Sequence, residues 1–415
     1  MVDEVVGAPL RDRARGVQAR WWGLCDVVAG AVARQRPPAP VHRDIRVGVN
    51  VVGYFNAALG LTEAARGMLI GLDAAGVPVA PVAVRAAPGP QAEPGFTTLP
   101  PAEAPYGLNL ICANGDGVRG IRRRAQRTLL SGRHSVALWW WEVAPAPARW
   151  SDASAGLDEI WVCSDHVLKT VTPVACVPVV KVRQPVAMPI PGSMSRRALD
   201  LPEGFLFHFV FDYASTFLRK NPVGVVEAFR RAFPDGSGPH LVIRSLNAGR
   251  HRHHRRLLAR AAAGRRDIRI VDLHLTAPER HAMLGHIDCY ISLHRAEGFG
   301  LVLAEAMRLG KPVIATGWSG NREFMTETNS YLVGHSLTPV GHGAWPYAQD
   351  GEWAEPDLDH AAELMRAVVG DPAAAAQRGA RAALDLHDRH DPATAGALLA
   401  ERVEHLAASA TAASV

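Results

Sequence analysis

Residues 288–316 read DCYISLHRAEGFGLVLAEAMRLGKPVIAT. Asp288–His294 are apolar enough for an interior strand, and Val313–Thr316 form a second short apolar run. Between them, Leu301–Leu309 carries apolar residues at helical spacing. Gly310 stands where a helix end calls for a left-handed residue, and Pro312 lies just beyond. Strand, glycine turn, helix, strand is the repeating unit of a parallel α/β sheet. Such sheets bind ligands beyond the carboxyl ends of their strands, which puts Glu297 at a site by topology. The amides of Gly298, Phe299, Gly300 and Leu301 are then the unpaired donors of a helix start, a ready seat for an anion. Glu305 falls in the second helical turn between two alanines that leave room beside it. A carboxylate suits paired hydroxyls, each charge-assisted bond contributing about 1.5–3 kcal/mol. A phosphate seat between two hydroxyl-reading acids describes a site for a nucleotide sugar.

The same unit repeats in both directions. Toward the C-terminus the chain is Ala-rich and helical beyond residue 357. Toward the N-terminus, strands are expected at 267–273, 240–245 and 205–211, with a helix opening at Asn221-Pro222. Residues 184–204 hold four prolines and no periodicity, as an inter-domain linker does. Before it lies another α/β series, with strands expected at 46–52, 77–84, 108–113, 134–142, 159–164 and 177–186. The reading is two Rossmann-like, doubly wound α/β domains: 46–190, then a linker over 191–204, then 205–389. A C-terminal helix over 390–410 completes the first domain, and 1–45 form a helical extension. A chain of 415 residues is long enough for two cores.

Composition narrows the function classes. The net charge is +5, but only Lys169, Lys181, Lys220 and Lys311 are lysines, so 41 of the 45 basic residues are arginine. That bias reflects GC-rich coding and weakens any argument from arginine clusters. The basic stretch GRHRHHRR (249–256) has no aromatics interleaved in sequence for base stacking, so nucleic acid is not an expected partner. Five cysteines form no C-x-x-C pair, consistent with a reducing cytoplasm and no zinc. No signal peptide or spanning segment is legible. Residues 10–34 pair arginines with tryptophans and are a candidate peripheral contact with the inner face of a membrane, or a helix packed on the protein.

Glu297 and Glu305, with the glycine turn between them, resemble the E-x7-E motif of retaining glycosyltransferases of the GT-B fold, in particular glycosyltransferase family 4. Three further stretches are similar to the family: FDYASTFLRKNPVGVVEAFRRAF (211–233), DIRIVDLHLTAPERHAMLGHIDCYISLHRAEGFG (267–300) and GKPVIATGWSGNREF (310–324). The likeness spans about residues 46–400. It implies that Glu297 contacts donor-sugar hydroxyls, Glu305 the ribose, and the 298–301 amides the diphosphate. Lys220 would neutralise the departing diphosphate. The family's usual arginine position is Ser215 here, so either Arg219 takes that role or the loop is rearranged. Arg244 is an additional candidate at a strand end. Asn321 and Glu323 fall near the donor by the same likeness.

In the first domain, GYFNAALGLTEAAR (53–66) resembles the family's loop over the cleft. It implies close backbone approach at Gly60 and an acceptor-facing Tyr54 and Asn56. The loop is neither a P-loop nor a dinucleotide fingerprint. WWWEVAPAPARW (139–150) also resembles a stretch found in part of the family, which implies that Glu142, at a strand end, points into the cleft near the transferred sugar and acceptor. The resemblance implies transfer of a hexosyl unit from a nucleoside diphosphate sugar to a hydroxyl acceptor, with retention. No cofactor and no metal are expected, because Lys220, Arg219 and a helix N-terminus supply the positive charge. The only D-x-D, Asp357-Leu358-Asp359, lies away from any strand exit. The alternatives are a non-catalytic nucleotide-sugar-binding protein or another GT-B-like enzyme.

Overall fold

The computed structural model describes residues 46–57, 59–85 and 97–412. The expected extension over 1–45, with the candidate membrane contact at 10–34, lies outside the described residues.

The first domain is built from β1 (Arg46–Gly53), α1 (Gly60–Ala74), β2 (Val79–Ala83), β3 (Tyr106–Ile111), α2 (Gly115–Ala125), β4 (His134–Leu138), α3 (Trp150–Ser154), β5 (Glu159–Val162), α4 (Asp165–Val171) and β6 (Val179–Lys181). Its six parallel strands run in the order β2-β1-β3-β4-β5-β6. Strands covered on both faces read as near-continuous apolar runs. The exception is a buried polar ladder across β1, β3 and β4. Asn50 donates to Asn109 Oδ1 at 2.9 Å, and Asn109 donates to Ser135 Oγ at 3.1 Å. Each amide thereby has the partner that burial demands.

The second domain holds β7 (Leu206–Asp212), α5 (Phe217–Lys220), α6 (Pro222–Ala232), β8 (His240–Leu246), α7 (Arg252–Ala261), β9 (Ile268–Asp272), α8 (Ala277–His286), β10 (Cys289–Ser292), α9 (Leu301–Arg308), β11 (Val313–Thr316) and β12 (Tyr331–Val333). Its sheet is also six-stranded and parallel, in the order β12-β11-β10-β7-β8-β9. From β7 the chain winds toward β9, and from β10 it winds toward β12. The exits of β7 and β10 therefore sit side by side at a topological switch point, where α/β sheets leave a crevice.

An antiparallel hairpin of β13 (His335–Pro339) and β14 (Glu352–Pro356) follows. The sequence reading did not anticipate it. Val340, Ala344 and Tyr347 from its loop join one apolar cluster with Trp141, Val143 and Trp150 of the first domain. The hairpin is thus a tie between the domains.

The chain ends in α10 (Leu358–Gly370), α11 (Pro372–His390) and α12 (Pro392–Ala412). α11 packs on α9, whereas α12 packs on α1 of the first domain. Arg402 of α12 forms a two-pronged ion pair with the buried Glu159 of β5. The chain therefore crosses between domains twice. The crossings meet where His390 Nδ1 lies 2.9 Å from the Gln184 carbonyl and Val186 N donates to the His390 carbonyl at 2.7 Å. Among the described residues no helix is long and apolar enough to cross a membrane.

Candidate active site

The exits of β7 and β10 carry the charges. Past β7, α5 is one helical turn bounded by two left-handed residues, Thr216 at φ 64 and Asn221 at φ 52. Asparagine tolerates that region, but for β-branched Thr216 it is a strained outlier of the sort that collects at functional sites. Asn221 is anchored by donating to the Leu293 carbonyl at 2.9 Å, and its Oδ1 caps α6 by accepting from Gly224 N at 3.1 Å. That geometry turns Arg219 and Lys220 toward the exit of β10.

Past β10, Glu297 is held by its backbone from both sides. Its N–H donates to Ser319 Oγ at 2.8 Å, and its carbonyl accepts from Gly320 N at 2.9 Å. Gly320 must be glycine, since a Cβ there would lie 2.0 Å from the Gly298 carbonyl oxygen. Gly300 opens α9 at φ 96, the left-handed conformation that frees the chain to turn from strand into helix.

The Glu297 carboxylate is buried and accepts from Lys220 Nζ, with Arg219 Nη1 at 3.3 Å. Burial pushes its carboxyl up, but Lys220 and then Arg219 outweigh it and hold the group at about 2, fully ionised. Arg219 is buried as well and is nearly fully committed. Nη1 donates to the Ala296 carbonyl at 2.8 Å and Nη2 to the Ser215 carbonyl at 3.1 Å. Nη2 also lies 3.5 Å from Glu142, across the cleft. Its Nε is buried without a protein partner. Glu142 in turn accepts from the Tyr347 hydroxyl at 2.6 Å. Tyr347, Glu142, Arg219, Glu297 and Lys220 form one chain of alternating partners across the two domains.

Glu305 has the opposite surroundings. It is half-buried on α9 among Glu63 of α1, Arg280 of α8 and Arg244 of β8. Burial, then the negative charge of Glu63, pushes its carboxyl up to about 7, with Arg280 and Arg244 opposing. Arg280 reaches Glu63 at 3.3 Å, and Arg244 donates to the Leu273 carbonyl at 3.2 Å. Neither guanidinium forms a hydrogen bond to Glu305, so its oxygens are open for hydroxyl donors.

Residues 216–399 match the family model described as family 4 glycosyltransferase in conflict systems. The fold is GT-B, and residues 216–399 are similar to family 4 glycosyltransferases. Three solved structures share the two-domain fold. The sucrose-phosphate synthase of Thermosynechococcus elongatus is 16% identical and matches with a TM-score of 0.62 over 88% of this chain and 100% of its own. A glycosyltransferase from Rickettsia africae is 12% identical, with a TM-score of 0.62 over 87% of this chain and 98% of that one. HepE of Anabaena, solved in complex with UDP-glucose, is 13% identical, with a TM-score of 0.60 over 87% and 100%. No curated protein matches.

In the second domain the remaining candidates divide by exposure. The Phe299 side chain points away from the cleft, packing against Phe324 at 4.8 Å, so only its amide is available at the helix start. Gly298 lies against Trp140, and its carbonyl accepts from Ser164 Oγ at 2.7 Å, which fixes the motif to the first domain. Leu301 opens α9, half-buried. Asn321 is fully buried: its Oδ1 lies 3.1 Å from His294 Nε2 and its Nδ2 donates to the Thr316 carbonyl at 3.0 Å. Its side chain holds the turn that follows β11. His294 is neutral, lowered to about 4 by burial, and so donates from Nε2 to Asn321. His208 is a satisfied core histidine, with Nδ1 2.9 Å from the Val242 carbonyl. Glu323 accepts from Asp165 N at 2.5 Å and from Lys181 at 3.2 Å, latching the domains together. Asp357 caps α10, and Asp359 pairs with Arg231 at 3.0 Å, so the D-x-D serves a helix start.

In the first domain, Asn56 is exposed on the loop after β1, and Gly60 begins α1 with open space around it. Tyr54 is half-buried against the core near Arg124 and Asp116. All three tryptophans of 139–141 are buried, Trp139 and Trp141 edge-on to Trp150 at 5.0 and 4.9 Å. The basic stretch at 249–256 gains aromatic neighbours only in three dimensions: His254 stacks on Phe217 at 4.5 Å. Sequence reasoning missed Tyr347, Ser319, Ser164, Glu63 and Arg280. None sits in a recognisable pattern except Glu63, an acid in the first turn of a helix.

Proposed function

We propose that the chain is a retaining glycosyltransferase that moves a hexosyl unit from a nucleoside diphosphate sugar to a hydroxyl acceptor on a saccharide, glycolipid or small metabolite. The observation that carries this reading is the switch-point cluster. Lys220 and Arg219, from the exit of β7, converge on Glu297 at the exit of β10, next to the open start of α9. In the reaction the bond from the anomeric carbon to the diphosphate oxygen breaks and its electron pair leaves with the diphosphate. The acceptor oxygen bonds the same carbon on the same face and releases its proton. The protein's task is to stabilise charge growing on the diphosphate, and preorganised donors do so without reorganisation.

Lys220, a compact charge, and the orphan amides at Gly300 and Leu301 take the diphosphate. Glu297 receives donor-sugar hydroxyls and Glu305 the ribose. Glu142, Asn56 and Tyr54 face the acceptor. The positive charge comes from side chains and a helix end, so the reading includes no metal, and chelation with EDTA leaves turnover unchanged. HepE has been solved with UDP-glucose, which makes UDP the first nucleotide to try. The test is a melting-temperature screen with nucleoside diphosphates, followed by sugar nucleotides assayed for slow donor hydrolysis by mass spectrometry. A ligand at 100 times its Kd stabilises by about 2.7 kcal/mol, readily seen as a shift. No shift with any nucleoside diphosphate overturns the proposal.

A further inference from the structure

A cavity of about 480 Å³ lies where the two crossings of the chain meet. That volume is within the roughly 300–1,000 Å³ range of small-molecule sites. Its wall comes from β6 and its continuation in the first domain, from Glu323 of the second, and from the junction of α11 and α12. Four of its side chains are cationic: Lys181, Arg183, Arg389 and Arg402. Two of these are already paired, Lys181 with Asp165 and Glu323, and Arg402 with Glu159. Arg183 and Arg389 have no carboxylate partner among the described residues. Val180, Val182 and Leu398 line the rest with apolar surface.

The position of these two guanidiniums carries the argument. Arg183 immediately precedes Gln184, and Arg389 immediately precedes His390; that residue pair joins the two crossings through the 2.9 Å contact of His390 with the Gln184 carbonyl. One arginine thus stands on each strand of the hinge, and both line one cavity. Both also act on His390, whose imidazole burial lowers to about 4, against the Gln184 hydrogen bond and with Arg183, Arg389 and Arg308 adding smaller downward pushes. Two like charges converging without a counter-ion repel each other, and an anion between them turns that repulsion into two attractions. Planar guanidinium forks match the oxygens of a phosphate, and two forks lining one cavity suit a dianion.

We propose that this hinge cavity binds the phosphate group of a small phosphorylated molecule, with Arg183 and Arg389 gripping the phosphate and the apolar wall receiving the carbon skeleton. The cavity shares no lining residue with the Lys220–Glu297 cluster, and the proposal does not depend on the glycosyltransferase reading.

The experiment measures the melting temperature of the full chain against inorganic phosphate and glycerol 3-phosphate, each compared with sodium chloride at equal ionic strength. Both are expected to stabilise beyond the salt control, glycerol 3-phosphate at the lower concentration. The double variant Arg183→Gln/Arg389→Gln is expected to need at least ten-fold more of either, while keeping its response to UDP. Lys220→Ala is expected to keep the phosphate response, which separates the cavity from the donor cleft. An undiminished phosphate response in the double variant overturns the assignment. So does the absence of any response beyond salt in a chain that still answers to UDP. Inorganic phosphate binding without glycerol 3-phosphate overturns the carbon-skeleton half. Should phosphate act through Arg183 and Arg389 while no nucleoside diphosphate binds, the hinge site stands and the glycosyltransferase reading falls.

Discussion

Glu297 and Glu305 flank the same helix start eight residues apart, yet one is held at about 2 and the other pushed up to about 7. Glu297 is buried and Glu305 half-buried, and desolvation alone would raise both. The difference lies in the company that tertiary structure supplies. Glu297 faces a lysine and an arginine turned in from β7, so its charge is locked on. Glu305 faces Glu63 from the other domain with two guanidiniums that do not bond it, so it titrates near neutrality. On the proposed function, with Glu297 beside the diphosphate and Glu305 beside the ribose, the two ends of one ligand should show different pH behaviour.

The largest expected effect comes from removing the locked charge. Glu297→Gln should lower turnover by about 10²-fold or more, the scale seen when preorganised electrostatic groups are lost. Steady-state kinetics on a variant whose circular dichroism matches the parent decides it, and full activity would break the contrast at its stronger end. Lys220→Ala should come next, weakening nucleoside diphosphate binding by at least about tenfold, since one charge-assisted hydrogen bond contributes about 1.5–3 kcal/mol. Isothermal titration giving parental affinity would remove Lys220 from the diphosphate.

The third effect is one of pH. Protonated Glu305 cannot accept a pair of hydroxyl donors, so donor affinity should fall as pH drops through about 7, and Glu305→Gln should bind weakly with no such dependence. Stability should respond with opposite signs at the two residues. Glu305, raised from 4.5, contributes stability that is present below 4.5 and lost as pH rises through about 7. Glu297, depressed from the same value, contributes stability that is present above 4.5 and lost as pH falls through about 2. Melting curves of parent, Glu305→Gln and Glu297→Gln across pH would show two matching slopes if the contrast were false. The smallest effect belongs to Tyr347→Phe. It removes one hydrogen bond to Glu142 and should cost about 1 kcal/mol in thermal stability, with a modest change in acceptor KM and the donor Kd unaltered. A lost donor site in that variant would mean that Tyr347 does more than orient Glu142.

Much of this architecture was legible before any coordinates. The strand and helix periods around 288–316, the stop at Gly310 (φ 69) and the Asn221-Pro222 helix start are local signals, and local sterics and capping decide them. The strand expected over 134–142 pairs only to Leu138, because past that point the chain leaves the sheet toward the cleft. The strand expected over 177–186 is shorter still, Val179–Lys181, where the chain departs for the second domain. The hairpin over 335–356 gave no clear period, since its stability comes from docking onto Trp141 and Val143 rather than from its own pattern. The doubt about Ser215 and Arg219 also resolves in space. Arg219 donates to the Ser215 carbonyl and bridges Glu142 and Glu297, leaving Lys220 as the cation with donors to spare.

By itself the sequence determined two parallel α/β domains and a helix start held between two acids, because period, glycine and proline act within a few residues. Only the tertiary structure decided which acid is charged, that Tyr347 reaches Glu142 across 205 residues, and that Arg183 and Arg389 share one cavity. Burial and Coulomb interactions depend on distance in space, and no pattern along the chain encodes which distant side chains will meet.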